Sequence, residues 1–244
     1  MKALVLAAGY ATRMYPLTKD KAKPLLLMRG QTMLDHCVQK LEAAGGVDGI
    51  FVVTNAFFAD DFAEWIAGVD YSTPIHLLND GTSTNDTRLG AVGDIDFSIK
   101  NGPIDDELLV MGGDNLFDFD LSDLTAYYRS KGQSCVVLHD VGDLELVKAY
   151  SVVEVGSDDR VVGFEEKPAD PQSTLAAICI YMLSRESVGL VARYLAEGGR
   201  PDQPGYFIQW LYRQVPVYGY KAAGTWYDIG SLRTYEDAQE HFGG

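Results

Sequence analysis

The run Ala3-Leu4-Val5-Leu6-Ala7-Ala8 near the start of the chain does most to decide its fold class. An apolar stretch with no polar alternation forms a strand buried on both faces, as in sheets covered by helices on either side. The run stops in a turn of small residues, Gly9-Tyr10-Ala11-Thr12. Arg13, Pro16-Leu17-Thr18 and a lysine-rich loop (Lys19, Lys21, Lys23) follow, ending at Pro24. The first thirty residues hold six lysines and arginines against one acid, although the chain as a whole carries −15. Concentrated positive charge beside a strand-to-loop turn predicts an anion pocket, in which turn amides and fixed cations hold a polyphosphate. A strand, a glycine turn and a solvated basic loop explain the composition equally well, so the order of residues must decide.

That order is Leu6-Ala7-Ala8-Gly9, then Thr12-Arg13-Met14, Pro16-Leu17-Thr18 and Lys23-Pro24-Leu25. It resembles the signature loop of the sugar-phosphate nucleotidylyltransferases, which include glucose-1-phosphate thymidylyltransferases, mannose-1-phosphate guanylyltransferases and phosphocholine cytidylyltransferases. It has neither the glycine-lysine-serine/threonine ending of a Walker loop nor a GxGxxG fingerprint. Two positions depart from the family: Ala11 stands where glycine is usual, and Ala22 where proline is usual. If the backbone at residue 11 needs positive φ, alanine there costs ~1 kcal/mol.

Three further motifs follow in the family's order. Gly113-Asp114-Asn115 ends an apolar run, and Asp114 looks like the family's metal-binding aspartate. Asp228, in Trp226-Tyr227-Asp228-Ile229-Gly230, resembles the second. Two carboxylates with phosphate oxygens and waters suit Mg²⁺. In Glu165-Glu166-Lys167-Pro168, Lys167 resembles the lysine that holds the acceptor phosphate, and Glu166 the acid that bonds sugar hydroxyls. The resemblance spans residues 3 to about 231.

It implies an α/β fold, a Rossmann-like three-layer sandwich with a mostly parallel central sheet of the GT-A type. One nucleotidyltransferase domain would fill residues 1–244, with a nucleotide-binding part over about 1–133 and an acceptor-binding part over about 134–244. The implied reaction carries a nucleoside monophosphate from a nucleoside triphosphate to a sugar 1-phosphate or similar phosphomonoester. Arg13, Lys23, Asp114 and Lys167 would be catalytic. Leu6, Ala8, Gly9, Thr12, Arg13, Asn79, Gly81 and Asp114 would bind the nucleotide; Glu166, Lys167 and Asp228 would bind the acceptor. Asn79 lies near the position of a base-reading glutamine, and an amide can pair with a pyrimidine edge. Asn, Asp and Gly are also common turn formers, which fits the stretch 79–87 equally. Ser151 and Cys179 stand where sugar-specific members often carry glycine. A cytidylyltransferase for phosphocholine and a catalytically inactive sensor of nucleotide sugars are the alternatives. A glycosyltransferase shares the core and would use Asp118 and Asp120, but lacks the Thr12-Arg13 and Lys23-Pro24 loop.

The rest of the chain fits this frame. Apolar runs at 50–54, 75–78 and 108–111 alternate with helical periodicity at 31–44, at 58–66 after a capping Asn55, and at 88–99, the pattern of a parallel sheet with helical crossovers. Ligands then sit beyond the carboxyl ends of the strands, where the loops 9–23, 79–87 and 112–120 lie. From residue 134 shorter strands with polar turns predominate, at 135–138, 150–155, 161–164, 176–183 and 215–220. Helical patterns fall at 186–196, 207–213 and 233–241. The −15 charge argues against nucleic-acid and membrane-surface partners. Three scattered cysteines lack metal-ligand spacing and read as small apolar residues in a reducing compartment. The expected setting is therefore cytoplasmic, and the expected assembly a monomer or homodimer.

Overall fold

The computed structural model describes residues 1–243. β1 (Lys2–Leu6) leads through the basic loop to a hairpin of β2 (Leu27–Met28) and β3 (Gln31–Thr32). α1 (Met33–Ala43) opens on a capping box: Thr32 Oγ1 accepts from the Asp35 amide at 3.0 Å, and Asp35 accepts from the Thr32 amide at 2.8 Å. β4 (Ile50–Thr54), α2 (Ala59–Gly68), β5 (Ile75–Asn79), α3 (Ala91–Asn101) and β6 (Leu108–Gly112) complete a parallel unit. Here β6, β1, β4 and β5 lie side by side in that order. β4 and β6 are buried at every residue, as their unbroken apolar runs require.

The second half continues the same sheet in a different style. After β7 (Asn115–Phe117) and α4 (Leu121–Lys131) come β8 (Ser134–Asp140), β9 (Ser151–Val155), β10 (Val161–Glu166) and the long β11 (Leu175–Leu183). β11 runs antiparallel to β6, β8 and β9, and β9 to β10. α5 (Arg185–Ala196), α6 (Pro204–Leu211), β12 (Val217–Lys221), β13 (Trp226–Asp228) and α7 (Leu232–His241) follow. β12 pairs in parallel with β8.

Strand side chains alternate between two cores. Val5, Val52 and Met111 pack with Leu34, Val38, Phe62 and Leu124 of α1, α2 and α4. Leu4, Val53 and Val110 pack with Ile95, Val191 and Ile208 of α3, α5 and α6. Helices therefore cover both faces, giving the expected three-layer α/β sandwich, but the sheet is mixed rather than mostly parallel: β6, β1, β4 and β5 form its parallel side, and β11 joins an antiparallel half to it. A third, smaller core joins Met14, Met28, Met33, Leu116, Ile229 and Ala238, tying the basic loop to the segment that carries Asp228.

Local departures from the sequence reading have physical causes. Asn55 does not cap α2; its amide donates to the Ala8 carbonyl at 2.9 Å while its Oδ1 accepts from the Phe58 amide at 3.0 Å. It braces the turn after β1 instead. α3 begins three residues later than the expected 88, because Gly90 sits at φ 82 against the Pro201 carbonyl. A Cβ on Gly90 would lie 2.6 Å from that oxygen, so only glycine fits. α4 carries a faint stripe, since two of its buried positions are Thr125 and Tyr128 rather than aliphatic residues.

Candidate active site

The turn after β1 is built on a left-handed residue. Ala11 adopts φ 45, ψ 41, and its carbonyl accepts from the Met14 amide at 2.9 Å and from Thr18 Oγ1 at 2.8 Å. Alanine therefore holds here a left-handed backbone that disfavours L-residues. Gly9 has open space where a Cβ would be, leaving the turn accessible.

Lys23 heads a short 3-10 turn and is only 8 % exposed. Its ammonium meets Asp114 Oδ2 at 2.6 Å. Gly113 leaves room for the approach: a Cβ there would lie 3.1 Å from the Leu6 carbonyl and from Pro24, close enough that these neighbours would have to give by a few tenths of an ångström. Burial opposes ionisation of Asp114, but the Lys23 ammonium, its hydrogen bond and the Arg13 guanidinium outweigh that and hold the carboxyl below the usual range.

Asp228 arrives from the far end of the chain. β13 pairs antiparallel with β7, with Asp228 opposite Asn115, the neighbour of Asp114. The Trp226 indole secures this register by donating to Asn115 Oδ1 at 2.9 Å. Burial and the charge of Asp114 raise the Asp228 carboxyl above its ordinary value, against Lys23, a hydrogen bond from Tyr150 and Arg13. Two carboxylates that disfavour each other's charge are what a cation would relieve, and their hard oxygens fit Mg²⁺ completed by phosphate and water. No group of three or more His, Cys, Asp or Glu residues suited to a metal occurs among the described residues.

Three clefts meet at Asp114. The first lies over the turn and holds Leu6, Gly9, Arg13 and Lys23. The second, about 260 Å³, holds Arg13, Ser151, Glu166, Lys167, Cys179 and Asp228. The third holds Leu6, Ala8, Gly9, Arg88, Gly90 and Asp94. All the expected catalytic residues thus come together. Glu166 bonds the Ser151 hydroxyl, and Lys167, at φ 50, donates its amide to the Tyr150 carbonyl at 3.1 Å. Cys179, at φ 54, sits in a bulge of β11 between Ala177 and Tyr181.

Thr12, Asn79 and Gly81 line none of these three clefts. Thr12 is exposed beside the turn, and Asn79 Oδ1 accepts from the Gly81 amide at 2.9 Å in an Asx turn. Sequence reading missed Asp94, Arg88 and Tyr150. The available signal for Asp94 was an acid on the apolar stripe of Val92, Ile95 and Ser98.

The profile of the nucleotidyl transferase family matches residues 2–243. The UTP–glucose-1-phosphate uridylyltransferase of Synechocystis is 27 % identical over 246 residues, covering 98 % of this chain and 62 % of that protein. The bifunctional protein GlmU of Methanocaldococcus jannaschii is 26 % identical over 231 residues, covering 94 % and 51 %. The structure of UDP-glucose pyrophosphorylase from Acinetobacter baumanii superposes with TM-score 0.82 at 21 % identity, over 99 % of this chain and 93 % of that one. The chain spans between 51 % and 62 % of the length of the curated relatives it matches. With that profile covering residues 2–243, the chain belongs to the nucleotidyl transferase family.

Proposed function

We propose that this protein transfers a nucleotidyl group from a nucleoside triphosphate, a pyrimidine one favoured, to a sugar 1-phosphate or similar phosphomonoester, releasing pyrophosphate. The observation that carries this reading is the position of Asp114. It pairs with Lys23 at 2.6 Å and borders both the cleft over the turn and the cleft that holds Lys167 and Asp228.

The acceptor's phosphate oxygen attacks the α-phosphorus, and the bond to the bridging oxygen of pyrophosphate breaks. That nucleophile is already ionised near neutral pH, so no general base is required. The histidines support this: none of the four lines the three clefts. His36 faces the Met28 carbonyl, His76 stacks on Phe51, His139 packs beside Trp226, and His241 pairs with Asp237. The barrier is the approach of two polyanions, and it falls through positioning and charge neutralisation. Arg13 faces the triphosphate and the departing pyrophosphate, Lys23 the α-phosphate, and Lys167 the acceptor phosphate. Asp114 and Asp228 would hold Mg²⁺, which supplies charge neutralisation and alignment of the phosphate oxygens.

A second acceptor class has an observation of its own. The acceptor cleft sets the Tyr150 and Trp226 rings, 5.1 Å apart, beside Glu166 and Asp228. Aromatic faces and acids together suit a cationic head such as choline. The test is pyrophosphate release with Mg²⁺, crossing CTP, UTP, dTTP, GTP and ATP with glucose, mannose, N-acetylglucosamine and inositol phosphates and phosphocholine. One active combination, lost on EDTA addition, identifies base and acceptor together. Triphosphate binding without release in any combination favours a sensor; no triphosphate binding overturns the reading.

A further inference from the structure

The third cleft has an unexplained floor. Asp94, on α3, is 6 % exposed, and its Oδ1 is buried without a hydrogen-bond partner. Asp80, directly after β5, accepts from the amide and hydroxyl of Thr82 at 2.7 and 2.8 Å through Oδ1, while its Oδ2 is buried and equally unpartnered. The Tyr10 hydroxyl, in the turn after β1, is also buried without a partner, with Thr82 and Asp80 as its neighbours. These are three of the five such side-chain atoms among the described residues, and Asp80 is a neighbour of both the Asp94 carboxyl and the Tyr10 hydroxyl. A buried polar atom left unpaired is costly, so the group calls for a missing donor. A proton supplies it without any further group.

We propose that Asp80 and Asp94 share one proton and thereby latch the loop after β5 to α3, fixing the floor of the third cleft, which we assign to the nucleotide because Leu6, Ala8 and Gly9 of the signature loop line it. Asp94 is on this account a positioning residue, and the inference rests on the nucleotide reading of the cleft. The surroundings favour the neutral pair. Burial, then the charge of the neighbouring Asp80, push the Asp94 carboxyl up to about 8. The one cation lining the cleft, Arg88, is paired with Asp202 at 3.1 Å. Facing Asp94 are Asp80 on its loop and the Tyr10 hydroxyl beyond it. Asp114 and Cys179 lie across the cleft, whose thiol is itself held neutral by burial, then by Asp114, which push it up to about 12. Every neighbour is therefore acidic, neutral or already paired.

Two measurements test this on the full chain. The first is thermal melting of wild type and Asp94→Asn from pH 5 to 9.5, without ligand. A carboxyl whose folded value lies above its unfolded one favours folding at low pH, and that contribution is lost as pH rises through the folded value. Wild type should therefore lose stability relative to the variant up to about pH 8 and then run level with it. An asparagine amide donates to Asp80 with no proton to lose. Parallel curves would overturn the shared proton. The second is calorimetric binding of UTP and of dTTP, each with Mg²⁺, at pH 7 and 9. Wild type should weaken roughly tenfold at the higher pH, the loss of about one hydrogen-bonded anchor. Asp94→Asn should show no such pH dependence, and Asp94→Leu should bind about tenfold weaker at both. Undiminished binding by Asp94→Leu would overturn the positioning role. If neither binds wild type, CTP, GTP and ATP are titrated in turn; if none of the five binds, the nucleotide reading falls and the positioning role with it, while the melting curves still decide the proton.

Discussion

The two halves of the sheet solve different problems. In the first, β1, β4 and β6 are parallel and enclosed by helices, and the charges at their ends arrive already matched: Lys23 lies against Asp114 at 2.6 Å. In the second, β8 to β11 are antiparallel, β10 at the sheet edge buries only Val161 and Phe164, and the site's charges stand less compensated. Beside it Asp228, on β13 of the separate sheet with β7, carries a raised carboxyl, and three non-glycine residues of this half, Asp159, Lys167 and Cys179, hold left-handed backbone. A pre-neutralised site on rigid strands suits the part of the reaction common to every triphosphate. An edge with bulges and strained residues suits the part that differs between acceptors, because it can change without disturbing the central strands.

The comparison breaks first at Asp114. Asp114→Asn should lower turnover by at least 10²–10³-fold, the usual effect of losing one electrostatic stabiliser, with circular dichroism unchanged. A variant keeping more than a third of the wild-type rate would remove Asp114 from the mechanism. Lys23→Ala should cost a similar factor and also raise the Asp114 carboxyl, since the ammonium is the main influence lowering it.

The acid limb of the pH–rate profile sharpens the contrast. A metal-holding carboxylate must be ionised, so activity should rise with pH through its value. Asp114 is lowered and Asp228 raised, so the limb should report Asp228. Tyr150→Phe removes a hydrogen bond that holds Asp228 down, and the limb should move to higher pH. An unmoved limb would mean that Asp114, or the substrate itself, sets the profile.

A smaller effect tests whether acceptor choice resides in the second half. Cys179→Gly relieves a left-handed non-glycine and empties a side chain from the wall shared by the second and third clefts. The KM for the acceptor should change several-fold, with the triphosphate KM shifting less than twofold. A larger change in the triphosphate KM would place Cys179 with the nucleotide instead.

What the sequence revealed follows the same division. The buried strands of the first half are unbroken apolar runs, and their bounds agree with the structure to within one residue at 50–54 and 108–112. Asp114 was legible because it directly follows such a run. Its partnership with Asp228 was legible only through the family resemblance, because it depends on the pairing of β7 with β13 across more than a hundred residues, and no local pattern specifies that register. Asp94 was hidden for another reason: an acid on the stripe of an amphipathic helix reads as an interruption until the loop that faces it is placed. Asn55 misled because a capping residue and a brace for the turn after β1 look alike in sequence.

The smallest effect isolates backbone strain from chemistry. Ala11 at φ 45 occupies a conformation that disfavours L-residues by about 1–2 kcal/mol, and glycine gives back roughly 0.5–1 kcal/mol of that in unfolded-state entropy. Ala11→Gly should therefore stabilise the protein by about 0.5–1 kcal/mol, raising Tm by roughly 1–4 °C for a chain of this size. Thermal melting without ligand reads this directly. If Tm falls instead, the alanine is doing something glycine cannot: it stiffens the turn, whose carbonyl is already fixed by the Met14 amide and Thr18. In that case the strain at residue 11 is part of how the first half stays pre-formed, and the two halves differ in rigidity as well as in charge.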